Sequence, residues 1–549
     1  MNSSTEHPNS TGRGPRSRGL ILAAMTFAVA MTFIDQTIVS IAAPQIQDKL
    51  GLTSTGVQWA INAYLLALAA TFAFGGRLAD TVGHRKMVTV GVVVFAGASA
   101  LCGLTPKDGF AEGWIVVFRV IQGVGGALLF PAALAIVVQT FPLRQRGRAL
   151  ALFFGLAGGL TAVGPVLGGY LTQWSWRAIF WVNIPIAVIA VLLIVVSRPA
   201  TLHRGAGIDY RGLVLIAAGV GLSVLGFQQA AIWGWGNPAT AACIAAGTTL
   251  LVSFCIVEAR TCSPLIRVGI FRSRPFRVQN IVLGISNLVF IPVFFFASEY
   301  AQVALGKTPA QGGLVLVYFF VGFVVAAQIG GRMLDRGGAR RPVLLGCALA
   351  AAGFWLWARS ATTLSLSAQQ GYIMLAGAGV GLMLGPSSTD AVNRASRLSY
   401  GEATGITQTV RTYAASLGFA ILGTILISRL RARIATSLIM RGAATRQAHA
   451  HAADLSQSHG AHTALTSIPH FVRADFADAT QSVLYVMAAI MAAAAAVAFV
   501  GLRAGVHREA QVDVSAETDN GPEMPAVGPG LGRYTREPEP APTASQDQR

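Results

Sequence analysis

Long apolar runs dominate this sequence, and each is close to the roughly 20 residues that a helix needs to cross a bilayer. The runs do not alternate as strands do, and a bilayer offers no water to backbone groups, so the spans must be helices. Only 12% of the 549 residues are charged, whereas soluble proteins average roughly 25%. We therefore predict an all-α polytopic membrane protein. The fourteen predicted spans lie near 20–43, 58–79, 87–105, 114–139, 148–171, 178–197, 211–232, 239–257, 277–300, 313–334, 342–359, 370–390, 405–428 and 483–502.

The net charge of +18 is distributed to match these spans. Alternate loops, counted from the polar N-terminus, hold most of the arginines, for example Arg144, Arg146 and Arg148. Because short basic loops stay in the cytoplasm, this pattern predicts a cytoplasmic-membrane protein with both termini inside, and it explains the charge without a nucleic-acid partner. The 429–482 segment is long enough to be translocated despite its arginines, so we place it outside. The 20–43 run is too long for a cleaved signal peptide.

One loop frame, G-R-x-x-D-x-x-G-x-R-[KR], occurs at 76–86 and again at 331–341. Each copy follows the second helix of a group, which indicates two six-helix bundles with two additional helices between them. The predicted segments are an N-terminal cytoplasmic tail (1–19), a first bundle (20–197), a linker with two additional helices (198–276), a second bundle (277–502) containing a long extracellular loop, and a disordered cytoplasmic tail (503–549).

The repeated loop resembles the GxxxDxxGxR[RK] loop of the major facilitator superfamily. The resemblance implies a conformational latch, in which glycines allow a tight turn and the acids cap the next helix or pair with a neighbouring arginine. A plain basic loop is the alternative. Thr81 and His84 stand where the family usually has basic residues. The predicted latch residues are Gly76, Asp80, Gly83, Arg85, Asp335, Arg336, Gly338 and Arg340.

Four further segments resemble motifs of one branch of that superfamily, the fourteen-helix drug:proton antiporters of the EmrB/QacA type. They read D-Q-T-I-V-S-I-A-A-P at 35–44, R-V-I-Q-G-V-G-G at 119–126, G-L-T-A-V-G-P-V-L-G-G at 159–169, and W-S-W-R followed by N-I-P within 174–185. The resemblance implies proton-driven export. Small residues in the third segment would also let helices pack closely. This fifth-helix antiporter motif contains Gly159, Gly164, Pro165, Gly168 and Gly169.

Asp35 lies well inside the first predicted span, where an ionised carboxylate costs roughly 2.5 to 3.5 kcal/mol on insertion scales. It therefore needs a partner, a water-filled cavity or a proton. Arg119, in the fourth span, falls in the same half of the membrane and is the candidate partner. We predict that Asp35 carries the proton and that Arg119 modulates its binding. The alternatives are a static ion pair that fixes packing, and an Arg119 that bonds backbone carbonyls.

Other polar and aromatic residues within the spans are weaker candidates for a substrate cavity. They could instead form hydrogen bonds between helices or, for the aromatic rings, face lipid. Glu299 and Asp390 are predicted near span ends, where they either reach the interface or take part in coupling. The candidate cavity residues are Gln122, Phe290, Phe294, Tyr318, Gln328 and Arg411.

Neither the five cysteines, which lack C-x-x-C spacing, nor the histidines between 449 and 462 predict a metal site, and no cofactor is expected. No G-x-x-x-x-G-K-[ST] motif is present, which disfavours an ATP-driven pump. We predict a monomeric, proton-coupled antiporter that exports small organic, drug-like molecules by alternating access. The alternatives are an importer or symporter of the same fold, an exporter of one endogenous metabolite, and a membrane enzyme or non-transporting sensor.

Overall fold

A computed structural model describes residues 15–107, 109–141, 149, 152–153, 163–164, 166–199, 209–261, 264–393, 400–457 and 469–502. These residues form helices joined by short connections, and no β-strand occurs among them. In the first half of the chain the helices are α1 (Pro15–Leu50), α2 (Ser54–Val82), α3 (His84–Gly103), α4 (Ala111–Thr140), α5 (166–174), α6 (Ala178–Trp181) and α7 (Asn183–Ser197).

Two helices follow before the second half, α8 (Tyr210–Trp233) and α9 (Pro238–Glu258), and then a short 3-10 helix (Val268–Arg272). The second half contains α10 (Arg274–Phe290), α11 (Pro292–Val303), α12 (Pro309–Gly337), α13 (Arg340–Ala361), α14 (Leu366–Asn393), α15 (Tyr400–Met440), α16 (Thr445–Gln457) and α17 (His470–Gly501).

Twelve membrane spans can be recognised among the described helices by length and composition. Two predicted spans are absent from these twelve. The run near 148–171 lies largely outside the described residues, and the run near 370–390 lies within α14, a continuous 28-residue helix that contains several glycines and Pro386. The multi-pass helical architecture is thus confirmed, while the count of fourteen stays a prediction.

Helix pairing repeats between the two halves of the chain. In the first half α4 packs against α2 and α3, and α1 packs against α7. In the second half α14 packs against α12 and α13, and α10 packs against α17. The same neighbours therefore recur at equivalent places in the order of helices, which supports the predicted internal repeat. The intervening α8 and α9 pack against each other, and α8 also contacts α2 and α15.

The predicted span near 277–300 is a broken helix, with α10 ending before Ile291 and α11 beginning at Pro292. Proline has no backbone N–H and its ring clashes with the preceding turn, so a helix interior breaks or bends at this residue. The neighbours of α11 include α1 of the first half.

The 429–482 segment, predicted as a long loop, is mostly helical where it is described. The helices α15 and α17 extend into it from either side, and α16 lies between them. Ser437 donates a hydrogen bond to Asp475 at 3.0 Å, and Arg433 pairs with Asp478 at 2.6 Å. These polar contacts join the two helix extensions, which a search for apolar runs could not detect.

Glycines allow α12 and α14 to approach closely. A Cβ atom added at Gly381 would lie 2.1 Å from the backbone oxygen of Phe323, and one added at Gly377 would lie 2.0 Å from the oxygen of Phe319. Real Cβ atoms do not approach so closely, so any side chain there would force the helices apart. Close backbone approach at small residues is how membrane helices gain packing energy.

We expect Gly381→Ala to destabilise the protein, because the added methyl group meets backbone that cannot move aside. Overpacking of this kind costs about 1–3 kcal/mol. Gly385→Ala is the matched control on the same helix, since a Cβ added at Gly385 has no neighbour within 4 Å. Thermal unfolding in detergent should show a lower midpoint for the first variant and an unchanged or higher one for the second. Equal midpoints would contradict the close packing.

Candidate functional site

Asp35 and Arg119 form an ion pair within the first half of the chain. Asp35 lies on α1 and is 0% exposed, and Arg119 lies on α4 and is 1% exposed. Arg119 Nη1 donates to Asp35 Oδ2 at 2.5 Å. The structure therefore brings together the two residues that the sequence paired, and it buries both of them.

Gln122 lies one turn after Arg119 and completes a ring of hydrogen bonds. Its Nε2 donates to Asp35 Oδ1 at 2.9 Å, and its Oε1 accepts from Arg119 Nη1 at 2.8 Å. Residues three apart on a helix share a face, so α4 presents both side chains to the same carboxylate. Gln122 was predicted to line a substrate cavity, and in this conformation it is a buried partner of the ion pair instead.

Asn183, at the start of α7, also reaches the carboxylate. Its Nδ2 lies 3.5 Å from Asp35 Oδ1 and donates to Ser99 Oγ at 3.0 Å. Ser99 in turn donates to the carbonyl oxygen of Phe180 on α6 at 2.8 Å, so Ser99 of α3 contacts both α6 and the start of α7. The sequence identified Asn183 as part of a family motif but assigned it no role. The only indication of a role in the sequence was the position of Asn183, a polar residue at the edge of an apolar span.

Arg119 has further contacts besides the carboxylate. Its Nε donates to the carbonyl oxygen of Ala60 on α2 at 2.9 Å, and its guanidinium lies 4.5 Å from the centre of the Tyr64 ring. Both alternatives for Arg119, carbonyl bonding and carboxylate pairing, thus occur at once. With neither charged group exposed, proton exchange at Asp35 requires a conformation in which the pair opens.

The described glycines of the fifth-helix motif pack against α1 just after Asp35. A Cβ atom added at Gly164 would overlap Thr37, and one added at Gly168 would lie 2.8 Å from Ile38 Cγ1. The third, Gly169, is close to α12 of the second half, because an added Cβ would lie 2.7 Å from the Cα atom of Ala310. The motif therefore contacts both halves of the chain. Its other members, Gly159 and Pro165, lie outside the described residues.

Polar contacts join the two halves toward one end of the bundle, opposite the repeated loops. Gln302 on α11 donates to the carbonyl oxygen of Ile41 on α1 at 3.0 Å, and Ser416 on α15 donates to Asn62 Oδ1 on α2 at 2.5 Å. Asn62 also donates to Gln228 of α8 at 2.7 Å, so the intervening pair of helices takes part. We call this region, together with the Gly169–Ala310 contact, the sealed end.

The repeated loops contain the predicted turns. Gly83 and Gly338 have φ of 107° and 79°, in the region that glycine adopts without strain. The N-cap residues of α3 and α13 are Gly83 and Ala339, so neither acid occupies a cap position. Asp80 instead contacts His84 at 3.1 Å, while Asp335 is exposed.

The remaining latch residues lie close to these turns. Gly76 packs near Pro131 of α4, with 3.5 Å between an added Cβ and the proline Cβ. Arg340 lies 5.8 Å from the ring centre of Phe499 on α17. Arg85 is partly exposed and Arg336 is exposed.

The predicted cavity residues of the second half do not form one cluster. Phe290 and Phe294 are buried and pack on each other with ring centres 5.3 Å apart, so they belong to the helix interface that also includes Phe320, 5.1 Å from Phe294. Arg411 donates to Gln408 at 2.7 Å and is partly exposed. Tyr318 is partly exposed and Gln328 is exposed.

The two acids near span ends have different surroundings. Asp390 accepts a hydrogen bond from Gln279 at 2.7 Å, which ties α14 to α10. Glu299 is 8% exposed, and its Oε2 has no hydrogen-bond partner. No group of metal-ligating side chains occurs among the residues that the structure describes.

Comparison with known proteins identifies relatives of this chain. A family model described as Major Facilitator Superfamily matches residues 25–419. The tetracenomycin C resistance and export protein of Streptomyces glaucescens is 33% identical over 413 residues, which cover 74% of this chain and 76% of that protein. The cephamycin export protein of Amycolatopsis lactamdurans is 32% identical over 428 residues, covering 76% and 87% respectively.

The fold is similar to that of solved transporters. A bacterial homologue of the human lysosomal transporter Spinster, crystallised in an inward-facing and unoccupied conformation, aligns with a TM-score of 0.55 over 89% of this chain and 98% of its own. The sequences are 16% identical, so the likeness concerns the fold alone.

Loss of one member of the buried pair should destabilise the protein more than loss of both. Arg119→Gln leaves Asp35 without its cation, and breaking a buried pair in this way costs about 3–5 kcal/mol. Adding Asp35→Asn removes the uncompensated charge and should restore most of the loss. Thermal unfolding in detergent compares the two variants with the unmodified protein. A double variant no more stable than Arg119→Gln would contradict direct pairing.

Proposed function

Because the chain belongs to the major facilitator superfamily, a superfamily of transporters, we propose that it is a proton-coupled antiporter exporting small organic, drug-like molecules by alternating access. Membership rests on the match over 25–419 and on relatives above 30% identity. It confirms the resemblance to the superfamily noted in the repeated loop. The fourteen-helix EmrB/QacA branch, the cytoplasmic membrane with both termini inside, and a monomeric state remain parts of the proposal.

The buried carboxylate of Asp35 is the observation that supports proton coupling. In the observed conformation it is held by Arg119, Gln122 and Asn183 and is 0% exposed. If the halves rock apart at the sealed end, α1 and α4 can shift relative to each other and water can enter. Without its cation, a carboxylate in a membrane is costly and takes up a proton.

A cycle follows from these two states. When the sealed end opens to the outside, the pair separates, Asp35 binds a proton from that side and substrate leaves. When the end closes, Arg119 returns to Asp35, and the proton is displaced toward the cytoplasmic side. Arginine keeps its charge in either state, so it can act as the fixed member of the pair. Protons and substrate thereby move in opposite directions.

The substrate class comes from the relatives. Their names assign them tetracenomycin C and cephamycin, which points to organic molecules of drug-like size as the class for this chain. Export rather than uptake is proposed on the same ground, together with the fifth-helix motif, whose described glycines pack between α1 and α12. An importer or symporter of the same fold remains the rival to be tested.

Asp35→Asn should abolish substrate transport driven by a pH gradient, because an amide cannot carry the proton. The measurement uses proteoliposomes with an imposed pH gradient and a panel of cationic and neutral compounds. Asp48→Asn is the matched control, since Asp48 lies on the same helix with a 39% exposed side chain. The control should transport at the unmodified rate.

Three results would count against the proposal. Gradient-driven transport that continues at the normal rate in Asp35→Asn would remove Asp35 as the proton carrier. Substrate that moves in the same direction as protons would indicate a symporter. Transport that is insensitive to the pH gradient in the unmodified protein would exclude proton coupling altogether.

A further inference from the structure

Glu299 is a buried carboxyl group that the Asp35 network does not use. It lies on α11, in the half of the chain opposite Asp35, and only 8% of it is exposed. Its Oε2 is buried without a hydrogen-bond partner, and no ion pair joins it to another residue in the part of the chain that the structure describes. A polar group buried in this way is costly unless something neutralises it.

The neighbours of Glu299 along α11 show which way this face points. One turn earlier, Phe296 packs against Phe419 of α15, with ring centres 6.3 Å apart. One turn later, Gln302 donates to the carbonyl oxygen of Ile41 on α1. Residues three apart share a helix face, so Glu299 lies between these two contacts. One contact stays within the second half and the other crosses between the halves, which places the carboxyl group at the sealed end.

Among the described residues of the surrounding helices, no charged group forms an ion pair with Glu299. The helices packed against α11 are α1, α10, α12, α15 and α17. Arg473 on α17 donates to the carbonyl oxygen of Ala304, the residue that follows α11, at 2.9 Å. None of the following titratable side chains on these helices makes a described ion pair or hydrogen bond with Glu299: Asp35, Asp48, Lys49, Tyr318, Arg411, Tyr413, Arg429, Arg431, Arg433, His470, Arg473, Asp475, Asp478 and Tyr485.

We propose that Glu299 is a second proton-binding site, and that its protonation allows the sealed end to close. With a proton, the side chain is neutral and can be buried between the Phe296 and Gln302 contacts. Without a proton, the carboxylate is charged and has no cation beside it, so closure over it is unfavourable. This proposal builds on the antiport proposed above and adds a second group, located in the other half of the chain.

A proton bound at Glu299 would move across the membrane in the direction that antiport requires. When the sealed end is open, water reaches Glu299 and a proton binds to its carboxylate oxygen from that side. Closure follows, and the proton then leaves into the cavity on the opposite side of the seal. Loss of this proton weakens the seal, which favours reopening once substrate has bound. One proton therefore moves inward for each cycle, in addition to the proton carried by Asp35.

The first test measures how many protons move per substrate. Proteoliposomes with the membrane potential clamped at zero are given a fixed pH gradient of about one unit, and the substrate ratio at which net flux stops is determined. Each coupled proton changes this ratio about tenfold. Glu299→Gln should lower it about tenfold while transport stays proton-coupled. Glu112→Gln, at an exposed acid on α4, should leave it unchanged. An unchanged ratio in Glu299→Gln would overturn the proposal.

The second test follows the seal itself and needs no substrate. Spin labels are attached to cysteines that replace Lys49, near the C-terminal end of α1 at the sealed end, and Lys307, between α11 and α12. The native cysteines are replaced by alanine. Asp35→Asn and Arg119→Gln are present together throughout, so that Asp35 does not titrate and no uncompensated buried charge remains. Raising the pH should lengthen the distance between the labels as Glu299 loses its proton, and lowering the pH should shorten it.

Substitutions at Glu299 then decide the outcome. Glu299→Gln should keep the labels close at every pH, while Glu299→Asp, which retains a carboxyl group, should keep the response. A response in Glu299→Gln equal to that of its parent would refute the role of this residue. Because the labels report closure rather than transport, this result stands even if the unmodified protein shows no proton-driven efflux, a finding that would overturn the proposed antiport instead.

Discussion

The ion pair between Asp35 and Arg119 is the interaction on which this account of the protein depends. Removing two charges from water costs several kcal/mol for each ion, and their attraction repays this only when the geometry is good and the remaining polar atoms are satisfied. Gln122, Asn183 and the carbonyl oxygen of Ala60 supply those additional bonds. The pair is thus stable when closed and costly when opened partway. Such a pair favours two distinct conformations, one closed and one fully open, over a continuum of partly open ones.

The first helix connects this pair to the contact between the halves. Asp35 and Ile41 are six residues apart on α1, or about 9 Å along a helix at 1.5 Å per residue. Between them, Thr37 and Ile38 lie against the glycines of the fifth-helix motif. Because Asp35 lies less than two helical turns from Ile41, a movement of α1 that broke the Gln302–Ile41 contact would also displace the Asp35 carboxylate. Close packing at glycines makes that transmission rigid, because there are no long side chains to absorb it.

Sequence reasoning located the membrane helices and the central pair because both depend on local or strongly patterned features. Apolar runs mark the spans, and an acid inside such a run needs a cation at the same depth, which Arg119 supplied. The resemblance to the major facilitator superfamily was likewise carried by a short motif, the repeated loop, and is confirmed. By contrast, Asn183 joins the site through the packing of α7 on α3, which no local pattern encodes.

Other features could not be predicted from the sequence, for related physical reasons. The extensions of α15 and α17 are polar helices held by the Arg433–Asp478 contact, so hydropathy could not distinguish them from a loop. The phenylalanines considered for a drug cavity pack on each other, because a single sequence does not tell which side of a buried helix faces its neighbour. Glu299 lacks an ion-pair partner among the described residues of the five surrounding helices, which a sequence alone cannot show.

Proton counterflow is the most direct measure of the central claim. Proteoliposomes containing the purified protein and a trapped pH-sensitive dye would be given an outward gradient of a transported compound, with no pH gradient at the start. The account predicts that substrate leaving the vesicles draws protons in, so the lumen acidifies, and that Asp35→Asn abolishes the signal. A lumen that stays at constant pH while the compound leaves, or one that becomes alkaline, would contradict it.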